Sequence, residues 1–273
     1  MQSPPGSAEK WRQMGGREKF LDSGGMLLYN GSGQIEMCLT EVQVKNRGLT
    51  GNQLKLIAVI TMTIDHLGYA LFPQQIWFRV IGRLTFPIYA FMIAEGCVHT
   101  RNMKRYLGTM AAVAAVCQIV YFVALDSLYQ CVLVTFSMSV AVTALLKRAM
   151  EQKSVLAWAE VACGVMLAFF ITEVLPGLLR HTDFSVDYGF LGVMLPPMVY
   201  LAKGKAQKLW VCAVLLLGLG YRIGGVQICA LLALPLLAMY NGQRGKWKMK
   251  YFFYIYYPLH LVVIHGLELL LRR

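Results

Sequence analysis

The sequence predicts an all-α protein, a polytopic bundle of about nine transmembrane helices with its N-terminus in the cytosol. Three observations support this prediction. The 273 residues are 57% hydrophobic and 15% charged, whereas a soluble domain carries about 25% charged residues. Apolar stretches follow one another from residue 54 to residue 271, and about 20 such residues cross a bilayer once. Basic residues are concentrated in every second connection between the stretches.

Residues 1–48 differ from the rest of the chain because they are polar and rich in Gly and Ser. Such a segment cannot bury enough apolar surface to fold alone. We therefore predict a mostly disordered cytosolic leader, followed by one transmembrane domain at residues 49–273. Translation could also begin at Met26 or Met37. No cleavable signal peptide opens the chain, so the first crossing is expected to act as the targeting signal.

Nine apolar stretches follow the leader. They are residues 54–72, 76–98, 106–125, 128–146, 155–175, 186–201, 209–221, 226–240 and 251–271. The stretches that begin at 186, 209 and 226 are short for a crossing, so totals between eight and ten remain open. Prolines inside the stretches predict kinks that are packed against neighbouring helices; they are Pro87, Pro196, Pro235 and Pro258.

The even-numbered connections are basic. They contain Arg101, Lys104, Arg105, Lys147, Arg148, Lys153, Lys203, Lys205, Lys208, Arg244, Lys246, Lys248 and Lys250. The odd-numbered connections contain no lysine and only two arginines, Arg180 and Arg222. The positive-inside rule therefore places the N-terminus and the even connections in the cytosol. Nine crossings leave Arg272 and Arg273 outside, and a total of eight would remove that exception.

The composition also excludes several functional classes. The seven cysteines form no CxxC pair and lie mostly in apolar stretches, so they are read as core residues rather than disulfide or metal ligands. No P-loop, GxSxG or HExxH motif is present, which argues against an ATP-driven pump, a serine hydrolase and a metalloenzyme. The net charge of +12 lies in short connections, so the expected partner is the lipid bilayer and not nucleic acid.

Ionisable residues cluster inside three of the crossings, although each costs at least about 2.5 kcal/mol near the bilayer centre. They are Asp65 and His66 in the first, Arg79, Arg83 and Glu95 in the second, and His260, His265 and Glu268 in the last. At about 1.5 Å per helical residue, most of them reach similar depths. Five of these groups lie at compatible depth, namely Asp65, His66, Arg79, Arg83 and His260. So many charged or titratable groups together favour a functional site over a structural ion pair. His265 and Glu268 lie near the end of a crossing and are read as structural.

The helical spacing predicts how some of these side chains are paired. Asp65 and His66 diverge by about 100° and are expected to face different partners, whereas Arg79 and Arg83 share a face of one helix. An ion pair of Asp65 with either arginine is reasonable, and Arg83 is the preferred partner. The structural alternative is that these pairs only fix the register of the helices.

Two blocks, LKLIAVITMTIDHLGYALFP and FRVIGRLTFPIYAFMIAEGCVHTRNMKRYL, resemble the start of the TraX family, membrane proteins named for acetylation of conjugative pilin. CVLVTFSMSV, DYGFLGVMLPPMVYL and FFYIYYPLHLVVIHGL are similar to later blocks, so the resemblance covers about residues 50 to 270. It implies a multi-pass protein of the bacterial inner membrane, similar to membrane acyltransferases that carry an acyl group from coenzyme A to an acceptor at the far face. The candidates that it implies are Asp65, His66, Arg79, Arg83, Glu95, Thr100, Asp187 and His260.

On this hypothesis the chain is an acetyl-CoA-dependent enzyme that needs no metal. His66 is the expected general base, because the pKa of histidine suits that role, and His260 is a second base or a donor to the acyl carbonyl. Asp65 orients His66 or holds Arg83. Arg79 or Arg83 stabilises the oxyanion of the transition state. The acceptor is expected to be a peptide N-terminus or a cell-surface glycan.

The coenzyme is expected to bind on the cytosolic side, where basic residues follow the second crossing. The candidates there are Glu95, Thr100, Arg101, Lys104 and Arg105, and the basic ones could receive phosphates. Ordinary positive-inside charge explains the same residues equally well. Two other functions remain open. One is a proton-coupled transporter, and the other is a non-catalytic membrane assembly protein.

Overall fold

The computed structural model describes residues 17–20, 26–29, 35–36, 48–246 and 250–271. The chain divides into two compact units, Met1–Gly48 and Leu49–Arg273. In the first unit three strands form an antiparallel sheet in the order β1-β2-β3; they are β1 (Arg17–Phe20), β2 (Met26–Tyr29) and β3 (Ile35–Glu36). The sequence did not predict them, because strands of four residues or fewer show no clear period. The disorder predicted for the rest of residues 1–48 lies outside the described residues.

The second unit is helical. Its helices are α1 (Gly51–Leu71), α2 (Ile76–Gly82), α3 (Thr85–His99), α4 (Met103–Leu125), α5 (Val132–Gln152), α6 (Val155–Phe169), α7 (Leu175–Leu178), α8 (Gly189–Leu201), α9 (Lys205–Ile223), α10 (Ala233–Ala238) and α11 (Lys250–Leu271). A π-helical turn, Phe170–Val174, joins α6 to α7. A 3₁₀ helix, Gly225–Leu232, leads into α10.

Six helical segments are long and apolar enough to cross a membrane, so the protein is a multi-pass membrane protein. They are Gly51–Leu71, Ile76–His99, Met103–Val123, Val132–Gln152, Val155–Leu178 and Lys205–Ile223. Gly189–Leu201, Gly225–Ala238 and Ile255–Ile264 are apolar but shorter. Each of the nine predicted stretches therefore contains a helix in the described residues, while the predicted total of about nine crossings stays a prediction. A helix of 13 residues such as α8 spans only about 20 Å of a core about 30 Å thick.

The second crossing is interrupted, which the sequence analysis did not expect. Pro87 has no N–H to donate to the carbonyl group of Arg83, four residues earlier, so the helical ladder loses a bond at that point. The chain turns at Arg83 and Leu84, between α2 and α3. Arg83 N–H still donates to Arg79 O at 3.1 Å, so the two arginines lie one helical turn apart on a shared face, as predicted, and the interruption follows Arg83.

The buried core lies around α3 and α8. α8 packs against α3, α5 and α9, and the core includes the buried side chains of Phe86, Phe91, Leu195 and Leu216. Large apolar side chains are also exposed on the outside of the bundle; examples are Val123, Val155 and Trp210. Lipid offers no hydrophobic drive between helices, so tight side-chain packing holds such a bundle together. The apolar exterior is what a lipid environment requires.

Several basic connections lie at one end of the bundle. The segment before α1 is paired with the segment after α10, because Leu49 N–H donates to Met239 O at 2.8 Å and Asn52 N–H donates to Arg244 O at 3.0 Å. At the same end, Lys147 at the end of α5 donates to the carbonyl group of Thr100 at 3.4 Å, and Lys208 near the start of α9 forms an ion pair with Glu95. The even-numbered connections, which are the basic ones, therefore meet at one end of the bundle.

The structure explains why Arg222, one of the two arginines in the odd-numbered connections, lies at the end opposite the basic connections. Arg222, at the end of α9, forms a two-point ion pair with Glu173 in the π-helical turn, with one N···O distance of 2.6 Å. The same carboxylate accepts from Phe190 N–H at 2.8 Å. These hydrogen bonds join the ends of three helices. Arg222 is therefore neutralised locally and is a weak indicator of topology.

Candidate functional site

A cavity of about 1400 Å³ extends along the second unit. One face of α1 lines it from end to end, with Gly51, Lys55, Met62, His66 and Tyr69 among the lining residues. From Gly51 to Tyr69 the rise of a helix is about 27 Å, close to the thickness of the hydrocarbon core. The cavity therefore extends along most of the predicted crossing. We call the part around Asp65 and His66 the histidine end.

Asp65 is seated against the backbone of α2. A Cβ atom added at Gly82 would overlap the side chain of Asp65, so only glycine leaves room for the carboxylate there. Arg79, one turn earlier, places Nη1 3.0 Å from Oδ1 of Asp65. The motif Arg-x-x-Gly-Arg is thus explained in part, because its glycine admits the acid and its first arginine neutralises it.

Arg83 does not bind Asp65, contrary to the preferred sequence prediction. Nη1 of Arg83 instead donates to Oε1 of Gln227 in the 3₁₀ helix at 3.1 Å. Gln227 is 1% exposed. The buried Nε of Arg83 and Nε2 of Gln227 have no hydrogen-bond partner within the described part of the chain. Arg83 lines the cavity and keeps an N–H group for another acceptor.

His66 and His260 form a hydrogen-bonded pair that joins the first helix to the last. Nδ1 of His66 lies 2.7 Å from Nε2 of His260, and the two rings are stacked with centroids 4.9 Å apart. Nδ1 of His260 lies 3.0 Å from the carbonyl oxygen of Tyr256. Since a carbonyl only accepts, Nδ1 of His260 carries the proton, and in a neutral ring its Nε2 accepts. Nδ1 of His66 must then donate, which leaves Nε2 of His66 unprotonated.

Aromatic residues fix the orientation of His260. The ring of Tyr256 is stacked on it at 5.3 Å, and Tyr257 contacts it edge-on at 5.4 Å. The hydroxyl of Tyr256 is 2.6 Å from that of Thr63 on α1. His260 is 5% exposed and lies outside the cavity lining, whereas His66 is part of it. The geometry therefore gives His66 the access to a ligand and His260 the position of its support.

Two loops cover the histidine end. Residues 127–131 are paired with residues 183–187, since Gln130 N–H donates to Ser185 O at 2.8 Å and Asp187 N–H donates to Gln130 O at 3.0 Å. Asp187 lines the cavity, accepts a hydrogen bond from Tyr129 and lies near Arg83. Burial raises the pKa of the Asp187 carboxyl to about 6, against the hydrogen bond from Tyr129 and the charge of Arg83. Asp187 is therefore poised to change its charge near neutral pH.

The other end of the cavity contains most of the predicted coenzyme-binding residues. Glu95, Thr100 and Arg101 line it. The carboxylate of Glu95 is engaged by Lys208 and lies 3.7 Å from Nε2 of His99. Lys104 and Arg105 are exposed in the first turn of α4 and are not among the lining residues. Of the predicted basic cluster, only Arg101 reaches the cavity.

Several residues of the site were not singled out from the sequence. Lys55 and Arg244 line the same cavity as Arg101, and we call these three residues the basic mouth. A lysine one turn inside the first crossing was a usable signal, whereas Arg244 looked like an ordinary loop charge. Tyr129, Tyr256 and Gln227 carried no sequence signal. The side chains of His265 and Glu268 lie outside the described residues. No group of three potential metal ligands is found in the described part of the chain.

Known proteins resemble this chain over almost its whole helical unit. The model of the family described as TraX protein matches residues 50–268. A protein of Dichelobacter nodosus, named as a probable fimbrial assembly protein FimC of serogroup H1, is 26% identical over 260 residues, which cover 84% of this chain and 99% of that protein. The uncharacterized protein RP591 of Rickettsia prowazekii is 50% identical over 38 residues, 14% of this chain and 15% of that protein. No solved structure matches the chain.

Proposed function

The chain belongs to the TraX family, and we propose that it is an acyltransferase of the bacterial inner membrane. The donor is acetyl-CoA from the cytosol, and the acceptor is a peptide N-terminus or a surface glycan at the far face of the membrane. The supporting observation is the cavity that joins the basic mouth to the histidine end. An anionic donor and an acceptor that approach from opposite sides could meet inside such a cavity.

The proposed reaction uses His66 as the general base. An amine or hydroxyl of the acceptor attacks the carbonyl carbon of the thioester, and Nε2 of His66 takes the proton. The C–S bond then breaks, and the thiolate takes the proton back from His66. The products are the acetylated acceptor and free coenzyme A, with no oxidant or reductant consumed. His260 is assigned to hold His66 in the tautomer with a free Nε2, because Nε2 of His260 accepts the hydrogen bond that Nδ1–H of His66 donates.

Arg83 is the proposed oxyanion donor. Its Nε has no hydrogen-bond partner within the described residues, and the group lines the cavity. Arg79 is already engaged by Asp65 at 3.0 Å, so it is assigned to hold that carboxylate and to set the local potential. Removal of an oxyanion donor typically lowers kcat by about 10²–10³-fold. Asp65 is therefore a positioning residue in this scheme, and Gln227 holds the guanidinium group of Arg83 at 3.1 Å.

The acceptor is the part of the proposal that rests on relatives. The TraX family is named for acetylation of conjugative pilin, and the relative from Dichelobacter nodosus is named as a probable fimbrial assembly protein. We infer that the acceptor belongs to the assembly of a surface appendage or to the cell surface around it. A membrane-embedded peptide N-terminus or a glycan would reach the histidine end beneath the loops that contain Tyr129 and Asp187.

A proton-coupled carrier is the second candidate. The same cavity runs along most of α1 and has titratable groups at both ends, which also suits a carrier of small anions. A non-catalytic assembly protein is the third, and the name of the fimbrial relative suits it. These three functions differ in what happens to the thioester bond.

The deciding experiment uses purified protein in vesicles with acetyl-CoA labelled in the acetyl group. The wild type is compared with His66→Ala and Arg83→Ala, and with Lys205→Ala as a control on an exposed residue outside the cavity. Size-exclusion profiles establish that each variant is folded. The proposal predicts release of free coenzyme thiol and transfer of label by the wild type and the control, and loss of both in the two site variants.

Other outcomes select the other functions. Accumulation of label inside vesicles without thiol release supports a carrier and overturns the enzyme. Neither transfer nor uptake by folded wild type, in the presence of surface material from the host cell, supports a structural role.

A further inference from the structure

We propose that Lys55 and Arg244 bind the diphosphate of the donor, and that the distance from Lys55 to His66 selects donors that carry a phosphopantetheine arm. This inference rests on the proposed function, because it names the part of the donor that the basic mouth recognises. The sequence predicts that Arg101, Lys104 and Arg105 receive the phosphates. The structure assigns the main contacts to two other residues and retains only Arg101.

Arg244 is held beside the start of α1 by backbone hydrogen bonds. Its carbonyl oxygen accepts from Asn52 N–H at 3.0 Å, and the preceding Gln243 carbonyl accepts from Gly51 N–H at 2.8 Å. Arg244 is therefore fixed to the first turn of α1. Lys55 lies one turn further along the same helix and close enough to interact electrostatically with Arg244. Both residues line the cavity.

The basic mouth is positively charged. Lys55, Arg101 and Arg244 bring three positive charges to one end of one cavity. Like charges within several ångströms repel each other, more strongly where the surroundings are less polar than water. Glu95, the carboxylate that lines this end, is already paired with Lys208. A ligand with two or more phosphates would be attracted to these positive groups, and phosphate oxygens suit both arginine and lysine donors.

The distance between Lys55 and His66 matches the length of a phosphopantetheine arm. Lys55 and His66 are both on α1, and their separation of eleven residues corresponds to about 16 Å along the helix. A phosphopantetheine arm has about 13 bonds between its phosphorus and its sulfur, and an extended chain advances about 1.2 Å per bond, which also gives about 16 Å. A diphosphate at Lys55 would thus deliver the thioester sulfur to the level of His66. Acetyl phosphate, which has no arm, could not occupy both positions.

The cavity between these points suits the arm. Met62, Tyr89, Met92 and Ile93 line the same cavity, so the arm would lie along apolar and tyrosine side chains. Amide groups of the arm could bond tyrosine hydroxyls, while the methyl groups contact the methionines. Recognition by length and by diphosphate together would exclude short acyl donors.

Binding of unreactive coenzyme A to the detergent-purified protein tests this inference without any turnover. Isothermal titration compares wild type with Lys55→Ala and Arg244→Ala, and with Lys104→Ala and Lys205→Ala as exposed basic controls outside the lining. We expect the Kd of coenzyme A to rise at least about tenfold in each mouth variant, in line with the loss of one charge-assisted contact. We expect the controls to stay within about twofold. Pantetheine, which lacks the diphosphate, should bind wild type and mouth variants equally.

The outcomes separate this inference from the proposed function. Tight coenzyme binding that is unchanged in both mouth variants overturns the phosphate assignment and leaves the acyltransferase intact. Coenzyme binding that is weakened in the mouth variants, combined with no acetyl transfer by wild type, supports the phosphate assignment and overturns the enzyme. Equal loss of affinity in Lys104→Ala would restore the assignment to the connection before α4 and overturn ours.

Discussion

Nδ1 of His66 lies 2.7 Å from Nε2 of His260, so an imidazole on the first helix of the bundle is held by an imidazole on the last. The carbonyl group of Tyr256 sets the proton on His260, and His260 in turn sets the proton on His66. The result is one free imidazole nitrogen in the chain of three groups. It belongs to His66, the member that lines the cavity.

This relay predicts different effects for two substitutions of His260. His260→Gln keeps an oxygen that can accept from Nδ1 of His66, whereas His260→Ala removes the acceptor. We expect His66→Ala to lower kcat by about 10²–10⁴-fold, the usual contribution of a general base. His260→Ala should lower kcat by a smaller factor and change its pH profile, with the KM for the donor unchanged. His260→Gln should retain more activity than His260→Ala, and equal activity of the two variants would contradict the relay.

Gly82 provides a test of the packing around Asp65. Alanine at this position would overlap Asp65, so Gly82→Ala should destabilise the protein by about 1–3 kcal/mol, the usual cost of overpacking. Gly108 is the matched control, because it is also inside a helix and a Cβ there meets nothing within 4 Å. Gly108→Ala should be neutral or should stabilise α4 by about 0.5–1 kcal/mol. Unfolding in mixed micelles measures both, and similar effects of the two variants would show that Asp65 is not confined.

The ion pair between Asp65 and Arg79 should couple more strongly than an ordinary surface pair. Asp65 is 18% exposed and Arg79 is 33% exposed, so solvent screens the pair only in part. A double-mutant cycle with Asp65→Asn and Arg79→Gln should give a coupling energy of about 1–3 kcal/mol. The control is the pair Arg148 and Glu160, at 2.9 Å but with an arginine 53% exposed, for which we expect less than about 1 kcal/mol. A coupling at Asp65 no larger than this control would assign the pair to the solvated surface.

Asp187 predicts a pH dependence of stability. Its pKa is raised from 3.8 to about 6, mainly by burial, so the folded protein holds this proton more tightly than the unfolded chain. The contribution is complete below about pH 4 and is lost as the pH rises through about 6. Relative to Asp187→Asn, the wild type should therefore lose up to about 3 kcal/mol between pH 4 and pH 7.

Unfolding at a series of pH values checks the prediction for Asp187, and Asp183→Asn is the control. Asp183 has its pKa lowered by hydrogen bonds from Ser127 and from Leu128 N–H. Because this pKa is lowered from 3.8, the Asp183 carboxyl gains its contribution below about pH 4, so the difference between the wild type and Asp183→Asn should stay constant from about pH 4 to about pH 7. A stability difference for Asp187→Asn that stays constant over this range would place the carboxyl in contact with water.

The helices were predictable from the sequence because each apolar stretch is contiguous. Each of the nine stretches from residue 54 to residue 271 contains a helix in the described residues, and the expectation that Asp65 and His66 face different partners is confirmed. Their partners were harder to assign. The preference for Arg83 failed because its Nη1 donates to Gln227, 144 positions later in the sequence, and no local pattern indicates that contact.

Contacts between distant segments could not be predicted from one sequence. The approach of Arg244 to Lys55 depends on backbone hydrogen bonds between residues 239–244 and the start of α1, and no local pattern encodes them. The pairing of Tyr129 with Asp187 likewise depends on two loops meeting at the histidine end. In both cases the sequence supplied the charged residue, and the fold supplied its neighbour.

The most direct test of the central claim is the mass of cell-surface material from cells that carry the wild-type gene, the His66→Ala gene or no gene. Equal amounts of protein in the membrane must be established for the first two strains. The account predicts a component that is heavier by one acetyl unit with the wild type alone. The same masses in all three strains, with the wild-type protein folded in the membrane, would contradict it.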